Sequence, residues 1–359
     1  MLYHICNELR DHFTFLNVVR YLTFRSMLAF FLTIFLVLVL EPRFIRWFRV
    51  KYLGQPIRDD GPQTHLSKKG TPTMGGVVIV LGVVVSTFLL CDLTNLYVWA
   101  TLGLTVGYAA LGFADDFLKV SKQNSKGVSA RTKLAWQFGL AAFFVTLLYF
   151  FGEGFSSQIT VPMFKNIVVD LRWWFIPFAA VVIVGCSNAV NLTDGLDGLV
   201  IGPVMTVAFA YGVFAYVSGN LKIAEYLQIS YVSGAGDLSI FAAAIVAGGL
   251  GFLWYNSFPA QVFMGDVGAL ALGGALGMLS IVTKQELVLI LAGGVFVTEA
   301  LSVIVQVLSF KLTGRRILRM APLHHHFELN GMAEPKIIVR CWIISIILAI
   351  VSLATLKLR

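Results

Sequence analysis

Ten long runs of apolar residues divide this chain, and short polar segments separate them. The runs cover 24–42, 74–91, 96–113, 134–151, 173–190, 199–218, 238–256, 267–283, 287–310 and 337–356. Runs of about 17–25 apolar residues have the length that an α-helix needs to cross the hydrocarbon core of a bilayer. The pattern therefore predicts an all-α, polytopic membrane protein with ten transmembrane helices, organised as a single domain over residues 1–359.

Two shorter patterns lie outside the apolar runs. Between residues 2 and 22, apolar side chains recur at helical spacing, which predicts an amphipathic N-terminal helix over 1–23 on the membrane surface. In the connection 152–172, the segments QITVP and NIVVDL flank a PMFKN turn. This arrangement predicts a short β-hairpin.

Composition supports a membrane protein and sets its orientation. The 359 residues are 58% hydrophobic and 13% charged, with a mean hydropathy of +0.82, which is far from a soluble protein. A net charge of +8 suggests nucleic acid as partner only for a soluble chain. Here the odd-numbered connections carry 17 of the 27 Lys and Arg residues, against eight in the even-numbered connections and termini. The positive-inside rule then predicts cytoplasmic odd-numbered connections, both termini on the outer face and no nucleic-acid partner.

Five aspartates lie at the ends of apolar runs, all on the predicted cytoplasmic side. Asp115 and Asp116 close one run in LGFADDF, Asp194 and Asp197 follow another in NAVNLTDGLDG, and Asp266 opens a third in FMGDVGAL. Each carboxylate at the centre of a bilayer costs about 2.5–3.5 kcal/mol. Five acids at this boundary therefore indicate a use, and a divalent cation that holds phosphates is the obvious one.

The nature of the acids and amides favours Mg²⁺ as cofactor. Carboxylate and amide oxygens are hard ligands, and phosphate oxygens can complete an octahedron; the predicted ligands are Asp266, Asp115 and Asn191. Adjacent side chains on a helix point about 100° apart, so Asp115 and Asp116 are expected to have separate roles. Together, carboxylates, a metal and basic side chains supply the positioning and charge neutralisation that phosphoryl transfer requires.

Zinc is the rival metal because His324, His325 and His326 are consecutive. Adjacent histidines in a helix diverge too far to chelate one ion, and no HxxxH or cysteine ligand accompanies them. We therefore interpret them as phosphate-binding or substrate-positioning residues. The four cysteines have no CxxC spacing and are interpreted as free thiols.

Several polar residues have two possible interpretations from sequence. In the third connection, Lys119, Lys122, Lys126 and Arg131 are interpreted as contacts to anionic headgroups, whereas Lys133 opens the next span and is a candidate phosphate contact.

Buried or aromatic side chains leave similar alternatives. Asn188 either bridges helices or lines the site. Phe263 either packs or offers a face on which a nucleobase stacks. Glu299, in an otherwise apolar helix, is either a buried paired acid or the lining of a cavity.

Five motifs resemble those of one transferase family. TPTMGG at 71–76, GFADDF at 112–117, NAVNLTDGLDGL at 188–199, YNSFPAQVFMGDVG at 255–268 and APLHHHFELNG at 321–331 are similar to the phospho-N-acetylmuramoyl-pentapeptide-transferases (MraY family), which belong to the polyprenyl-phosphate N-acetylhexosamine-1-phosphate transferases. The resemblance extends over nearly the whole chain, and the triple histidine is its most specific element. It implies a ten-span enzyme of the bacterial inner membrane with a cytoplasmic active site.

The resemblance also implies substrates and roles. UDP-MurNAc-pentapeptide and undecaprenyl phosphate would give lipid I and UMP in peptidoglycan biosynthesis, with Mg²⁺ as cofactor and a homodimer as assembly. Asp115 would be the catalytic base, Asp116 its partner and Asp266 the best metal ligand, with His324 as the fourth catalytic candidate. Residues that match family positions around the nucleotide or its phosphates, or its histidine motif, are Lys68, Asp194, Asp197, Asn256, Phe263, Gly265, Gln306 and His325. The predicted substrate-binding set also includes Thr73, Lys133, Asn188, Asn191 and His326.

One departure and two alternatives accompany this interpretation. Family members often have serine after the GDVG motif, where this chain has Ala269, so that side chain offers no hydrogen bond. Relatives that transfer N-acetylglucosamine phosphate from UDP-GlcNAc share the acid motifs but differ in the histidine loop. An ion-coupled transporter, the third hypothesis, predicts acids near mid-membrane and inverted repeats, whereas these acids cluster at one face.

Overall fold

A computed structural model of the chain describes residues 1–51, 70–122, 127–162, 164 and 167–357. Its helices are α1 (Leu2–Leu9), α2 (Leu22–Lys51), α3 (Gly76–Leu90), α4 (Leu96–Ser121), α5 (Ala130–Phe151), α6 (Phe175–Thr193), α7 (Ile201–Ser218), α8 (Leu221–Leu227), α9 (Leu238–Asn256), α10 (Gly265–Val282), α11 (Val288–Ala292), α12 (Gly294–Thr313), α13 (Leu323–Leu329) and α14 (Glu334–Ala354). Short 3₁₀ helices cover Thr14–Arg20, Arg172–Trp174 and Ala235–Asp237.

The helices confirm an all-α, polytopic membrane protein. Within the described residues, nine are long and apolar enough to cross a bilayer, and α3 is a shorter apolar helix. Each predicted span overlaps one of these ten helices. The predicted span 287–310 is not one continuous helix. It is interrupted at Gly293, which separates α11 from α12. A Cβ on the next residue, Gly294, would lie 2.7 Å from Leu348 Cδ1, so the break lies where α14 packs closely.

Helix α10 lies at the centre of the bundle. It packs against α3, α4, α6 and α7, and its sequence GDVGALALGGALGMLSIV is rich in glycine and alanine, which let membrane helices approach closely. In the most apolar 18-residue stretch of each helix, 89% of the residues are buried in α10 but only 22% in α2, α5 and α12. The outer helices therefore present large apolar side chains to lipid, and α10 carries its first residues into a protein environment.

The end of the bundle opposite the N-terminus of α10 is closed by an ion pair. Arg25 donates to Asp237 Oδ1 at 2.9 Å and to the Leu90 carbonyl at 3.1 Å, which joins the starts of α2 and α9 to the end of α3. The predicted hairpin is confirmed as an antiparallel pair, β1 (Gln158–Thr160) and β2 (Val168–Asp170). The prediction of one helix over 1–23 is wrong. The segment forms α1 and then a separate 3₁₀ helix, because α-helical hydrogen bonding ends near Arg10.

Candidate active site

Two helix ends bring three acids together. Asp115 and Asp116 lie in the last turns of α4 and are buried, and Asp266 is the second residue of α10. The helices nearly touch here, since a Cβ on Gly112 would lie 2.3 Å from the Asp266 carbonyl oxygen. One carboxylate oxygen from each acid lies within 4.8 Å of the others. This donor set fits a cation that prefers oxygen ligands, such as Mg²⁺.

Two lysines lie on the same carboxylates. Lys119 Nζ is 2.5 Å from Asp115 Oδ2 and 3.2 Å from Asp266 Oδ2. Lys133 Nζ is 2.8 Å from both oxygens. Lys133 was predicted as a phosphate contact, but Lys119 was assigned to headgroups. Its spacing of three and four residues from the acid pair was the signal that could have placed it here, because such residues share a helix face.

Each acid is also fixed by an uncharged donor. The Val128 N–H donates to Asp115 Oδ1 at 2.6 Å, and the Val267 N–H donates to Asp116 Oδ2 at 3.3 Å. Asn191 Nδ2 donates to Asp266 Oδ1 at 2.9 Å. The two acids of α4 therefore accept from different backbone donors but share Lys119, and their separate roles stay a prediction. Asn191 lies next to the acid cluster, and its role as a metal ligand stays a prediction.

The TPTMGG segment pairs with the segment before α10. The Phe263 N–H donates to the Pro72 carbonyl at 2.8 Å, and the Gly75 N–H donates to the Phe263 carbonyl at 2.9 Å. Gly265 has a φ of +74°, and a Cβ there would lie 2.5 Å from Asp116 Oδ2, so glycine is required. Thr73 is buried beside Gly265, within reach of the acid cluster.

The other predicted residues of this region hold the surrounding loops. Asn256 Nδ2 donates to the Val262 carbonyl at 2.8 Å, and the next residue, Phe263, is half-buried. Asn188 Nδ2 donates to Gln137 Oε1 at 3.0 Å, which is the helix-bridging alternative. Asp197 Oδ2 accepts from the Ala260 N–H at 2.9 Å. Substrate binding by these side chains stays a prediction.

Asp194 lies just beyond the end of α6. Burial, together with the nearby carboxylates of Asp266 and Asp197, raises the pKa of Asp194 to about 7. The folded protein therefore holds this proton more tightly than the unfolded chain does. By linkage, the stabilising effect of proton binding is fully present below the unfolded pKa and is lost as pH rises through about 7. A cation at the acid cluster would act in the opposite sense and favour the carboxylate.

The three histidines lie on α13 and have different partners. His324 Nδ1 is 3.2 Å from Glu299 Oε2 on α12, and His325 Nδ1 is 3.3 Å from Glu328 Oε2. His326 Nδ1 accepts from the Arg319 N–H at 3.1 Å. The predicted divergence does not hold for His324 and His325, whose ring centroids lie 4.2 Å apart. The three side chains nevertheless have different partners, and within the described residues they do not form a group that could hold one metal ion.

His324 connects the histidine helix to the loop after α6. Its ring is 1% exposed, and a Cβ on Gly195 would lie 2.2 Å from its Nε2. The predicted catalytic His324 thus lies beneath the segment that carries Asp194 and Asp197. The pairing also settles the two alternatives for Glu299 in favour of a buried, paired acid.

Gln306 and Lys68 complete the predicted set. The Gln306 amide donates to the Leu318 carbonyl at 2.8 Å and accepts from the Ile317 and Leu318 N–H groups at 3.0 Å. It therefore holds the segment that leads to α13. Lys68 lies outside the described residues.

We expect Glu299→Ala to lower the free energy of unfolding by about 1–3 kcal/mol, because it removes the carboxylate beside a buried imidazole. Denaturant unfolding in detergent measures the change. Glu225→Ala, on the exposed side of α8, is the matched control and should differ little from wild type. Equal stability of the two variants would contradict a supporting role for the Glu299–His324 pair.

Comparisons with known proteins agree with this geometry. The profile of glycosyl transferase family 4 matches residues 98–284, which contain all five boundary aspartates. Residues 68–80, which include Thr73, match phospho-N-acetylmuramoyl-pentapeptide-transferase signature 1. A phospho-N-acetylmuramoyl-pentapeptide-transferase of Citrifermentans bemidjiense is 55% identical over 359 residues, and one of Syntrophus aciditrophicus is 56% identical over 360 residues. In both cases the match covers the whole of each chain. With matches of this extent, the chain belongs to the phospho-N-acetylmuramoyl-pentapeptide-transferases of glycosyl transferase family 4.

Proposed function

We propose that this protein transfers phospho-N-acetylmuramoyl-pentapeptide from UDP-MurNAc-pentapeptide to undecaprenyl phosphate, giving lipid I and UMP. The observation that carries the proposal is the cluster of Asp115, Asp116 and Asp266 with two lysines, at one end of a lipid-exposed helical bundle. A lipid phosphate can reach this end from the bilayer, and a nucleotide can reach it from water. The family resemblance supplies the identity of both substrates.

In the proposed reaction, Asp115 accepts the proton of the undecaprenyl phosphate. A phosphate oxygen then attacks the β-phosphorus of the nucleotide sugar. The bond from that phosphorus to the bridging oxygen breaks, and UMP leaves with the electron pair. Lys119 and Lys133 offset the charge on the diphosphate, and Asp116 fixes the start of α10 through the Val267 N–H.

Mg²⁺ is the proposed cofactor, with Asp266 and Asp115 as ligands. Bound there, the ion would neutralise charge on the diphosphate oxygens. The three clustered carboxylates support this assignment. His324 would act through the loop after α6, where it contacts the Gly195 position.

The bias of Lys and Arg toward the odd-numbered connections supports a cytoplasmic active site, with both termini on the outer face of the inner membrane. A homodimer is proposed from the family resemblance. Nucleic acid has no place in this reaction.

A transfer assay in nanodiscs tests the function. We expect UMP release and lipid I formation from UDP-MurNAc-pentapeptide and undecaprenyl phosphate in the presence of Mg²⁺, with loss of activity in EDTA and recovery when Mg²⁺ is restored. UDP-GlcNAc is the matched control nucleotide and should give less than about a hundredth of the rate, because specificity for a substrate group that the site binds is large. Turnover of UDP-GlcNAc alone would replace the proposal with the alternative transferase.

A further inference from the structure

The three acids of the site divide their oxygens between two kinds of partner. On Asp115 and Asp266, Oδ1 accepts from an uncharged donor, the Val128 N–H and the Asn191 amide respectively. The other oxygen, Oδ2, contacts the ammonium groups of Lys119 and Lys133. Asp116 repeats the division, with Oδ2 on the Val267 N–H and Oδ1 3.7 Å from Lys119 Nζ.

This division matters for a cation. The uncharged donors hold each carboxylate in place, so the acids keep their arrangement when the lysines move. The lysine contacts are exchangeable, because both side chains are long and remain 19% and 25% exposed. One oxygen of each acid lies within 4.8 Å of the others. Because Oδ1 of Asp115 and of Asp266 already accepts from an uncharged donor, we expect a divalent cation between the acids to take the oxygens that the ammonium groups contact.

The charges favour exchange over coexistence. With all three acids ionised, the carboxylates and the two ammonium groups together carry one net negative charge in a small, partly buried volume. An ammonium group within a few ångströms of a divalent cation is repelled strongly there. With the cation bound and the lysines displaced toward the open side, the cluster as a whole becomes positive and attracts a diphosphate.

We propose that Lys119 and Lys133 compete with the divalent cation for Asp115 and Asp266, and that metal binding releases their ammonium groups to the diphosphate of the substrate. The identity of the diphosphate rests on the proposed function. The competition itself is a property of five side chains and is measurable with metal alone.

The first test is Mn²⁺ binding to the substrate-free protein in nanodiscs, followed by electron paramagnetic resonance of the free ion. We expect Lys133→Met and Lys119→Met to bind Mn²⁺ at least about fivefold more tightly than wild type, because a competing like charge is removed. Lys122→Met is the matched control, since Lys122 is exposed at the end of the same helix, and it should change affinity by less than about twofold. Unchanged or weaker Mn²⁺ binding by both cluster variants would overturn the proposal.

The second test uses the wild-type chain and does not depend on the folding of a variant. Lysine acylation by acetic anhydride is followed by peptide mass spectrometry with and without Mg²⁺, and without substrate. We expect Mg²⁺ to raise acylation of Lys119 and Lys133 at least about threefold, because displaced ammonium groups are more accessible and less strongly ion-paired, while Lys122 stays constant. Acylation that falls or stays constant at both cluster lysines would also overturn the competition.

Both the Mn²⁺ binding and the acylation experiments are done without nucleotide. Their outcome therefore does not depend on the substrates named in the proposed function. Competition together with a failed transfer assay would overturn the substrate assignment alone. A successful transfer assay without competition would overturn the role of the lysines alone.

Discussion

Replacing Asp266 by asparagine is expected to lower the transfer rate by about 10²–10³-fold, since one charged group that stabilises the reacting phosphates is lost. The substitution keeps the shape of the side chain, and its amide oxygen can still accept from Asn191. What changes is the charge that faces Lys119, Lys133 and the cation. Substrate-free Mn²⁺ binding should weaken in parallel with activity, and both are measured on the same nanodisc preparation.

The control for Asp266→Asn is Asp170→Asn, in the exposed β-hairpin at the far end of the bundle. It should retain wild-type transfer and Mn²⁺ affinity. Thermal unfolding should show both variants folded, because the Asn191 contact does not require a charged partner. An Asp266→Asn enzyme with more than a tenth of wild-type activity and unchanged Mn²⁺ binding would show that the acid cluster is not the metal centre.

Gly112→Ala is expected to damage both stability and transfer without touching a reactive group. The added Cβ would lie 2.3 Å from the carbonyl oxygen of Asp266 and 2.6 Å from Val267 Cα. These are backbone atoms of α10, so relief requires separation of α4 from α10. Overpacking of this kind costs about 1–3 kcal/mol. A displacement near 1 Å of Asp266 relative to Asp115 can cost about 10²-fold in rate.

Gly139→Ala is the matched control for that substitution. Gly139 is also helical, in α5, but a Cβ there meets no heavy atom within 4 Å. It should stabilise the protein by up to about 1 kcal/mol through helix propensity and leave transfer unchanged. Denaturant unfolding and the transfer assay rank the three proteins. A Gly112→Ala protein as stable and active as Gly139→Ala would contradict the close approach of α4 and α10.

Hydrophobic length predicted the spans well, because each apolar run must satisfy its backbone hydrogen bonds as a helix in lipid. The interruption at Gly293 could not be predicted in this way, because the residues on both sides of it are apolar and the composition does not change where α11 ends and α12 begins. The prediction of a single helix over residues 2–22 was wrong for another reason. Their apolar spacing fits a helix throughout, but the pattern does not encode where hydrogen bonding changes from α to 3₁₀.

Charge at a membrane boundary predicted the acids of the site, because carboxylates there need compensation. Their partners were harder to predict. Lys133 and Asp266 are separated by 133 residues, and Glu299 and His324 by 25 residues. Both contacts therefore depend on how separate helices pack against each other, which the local sequence pattern does not show. Lys119 was different, because its spacing from Asp115 and Asp116 was visible in the sequence. Its basic neighbours in the same connection favoured a headgroup interpretation instead.

The central position of α10 also has a consequence for biosynthesis. Asp115 leaves the ribosome about 150 residues before Asp266, which corresponds to roughly 8–30 s at 5–20 residues per second. Lys119 and Lys133 follow Asp115 within 18 positions, so they can neutralise the acid pair of α4 soon after its translation. The cost of placing two carboxylates at the edge of the lipid is then reduced before α10 enters the bundle. The two lysines that we propose compete with the cation thus also accompany the acids of α4 through membrane insertion.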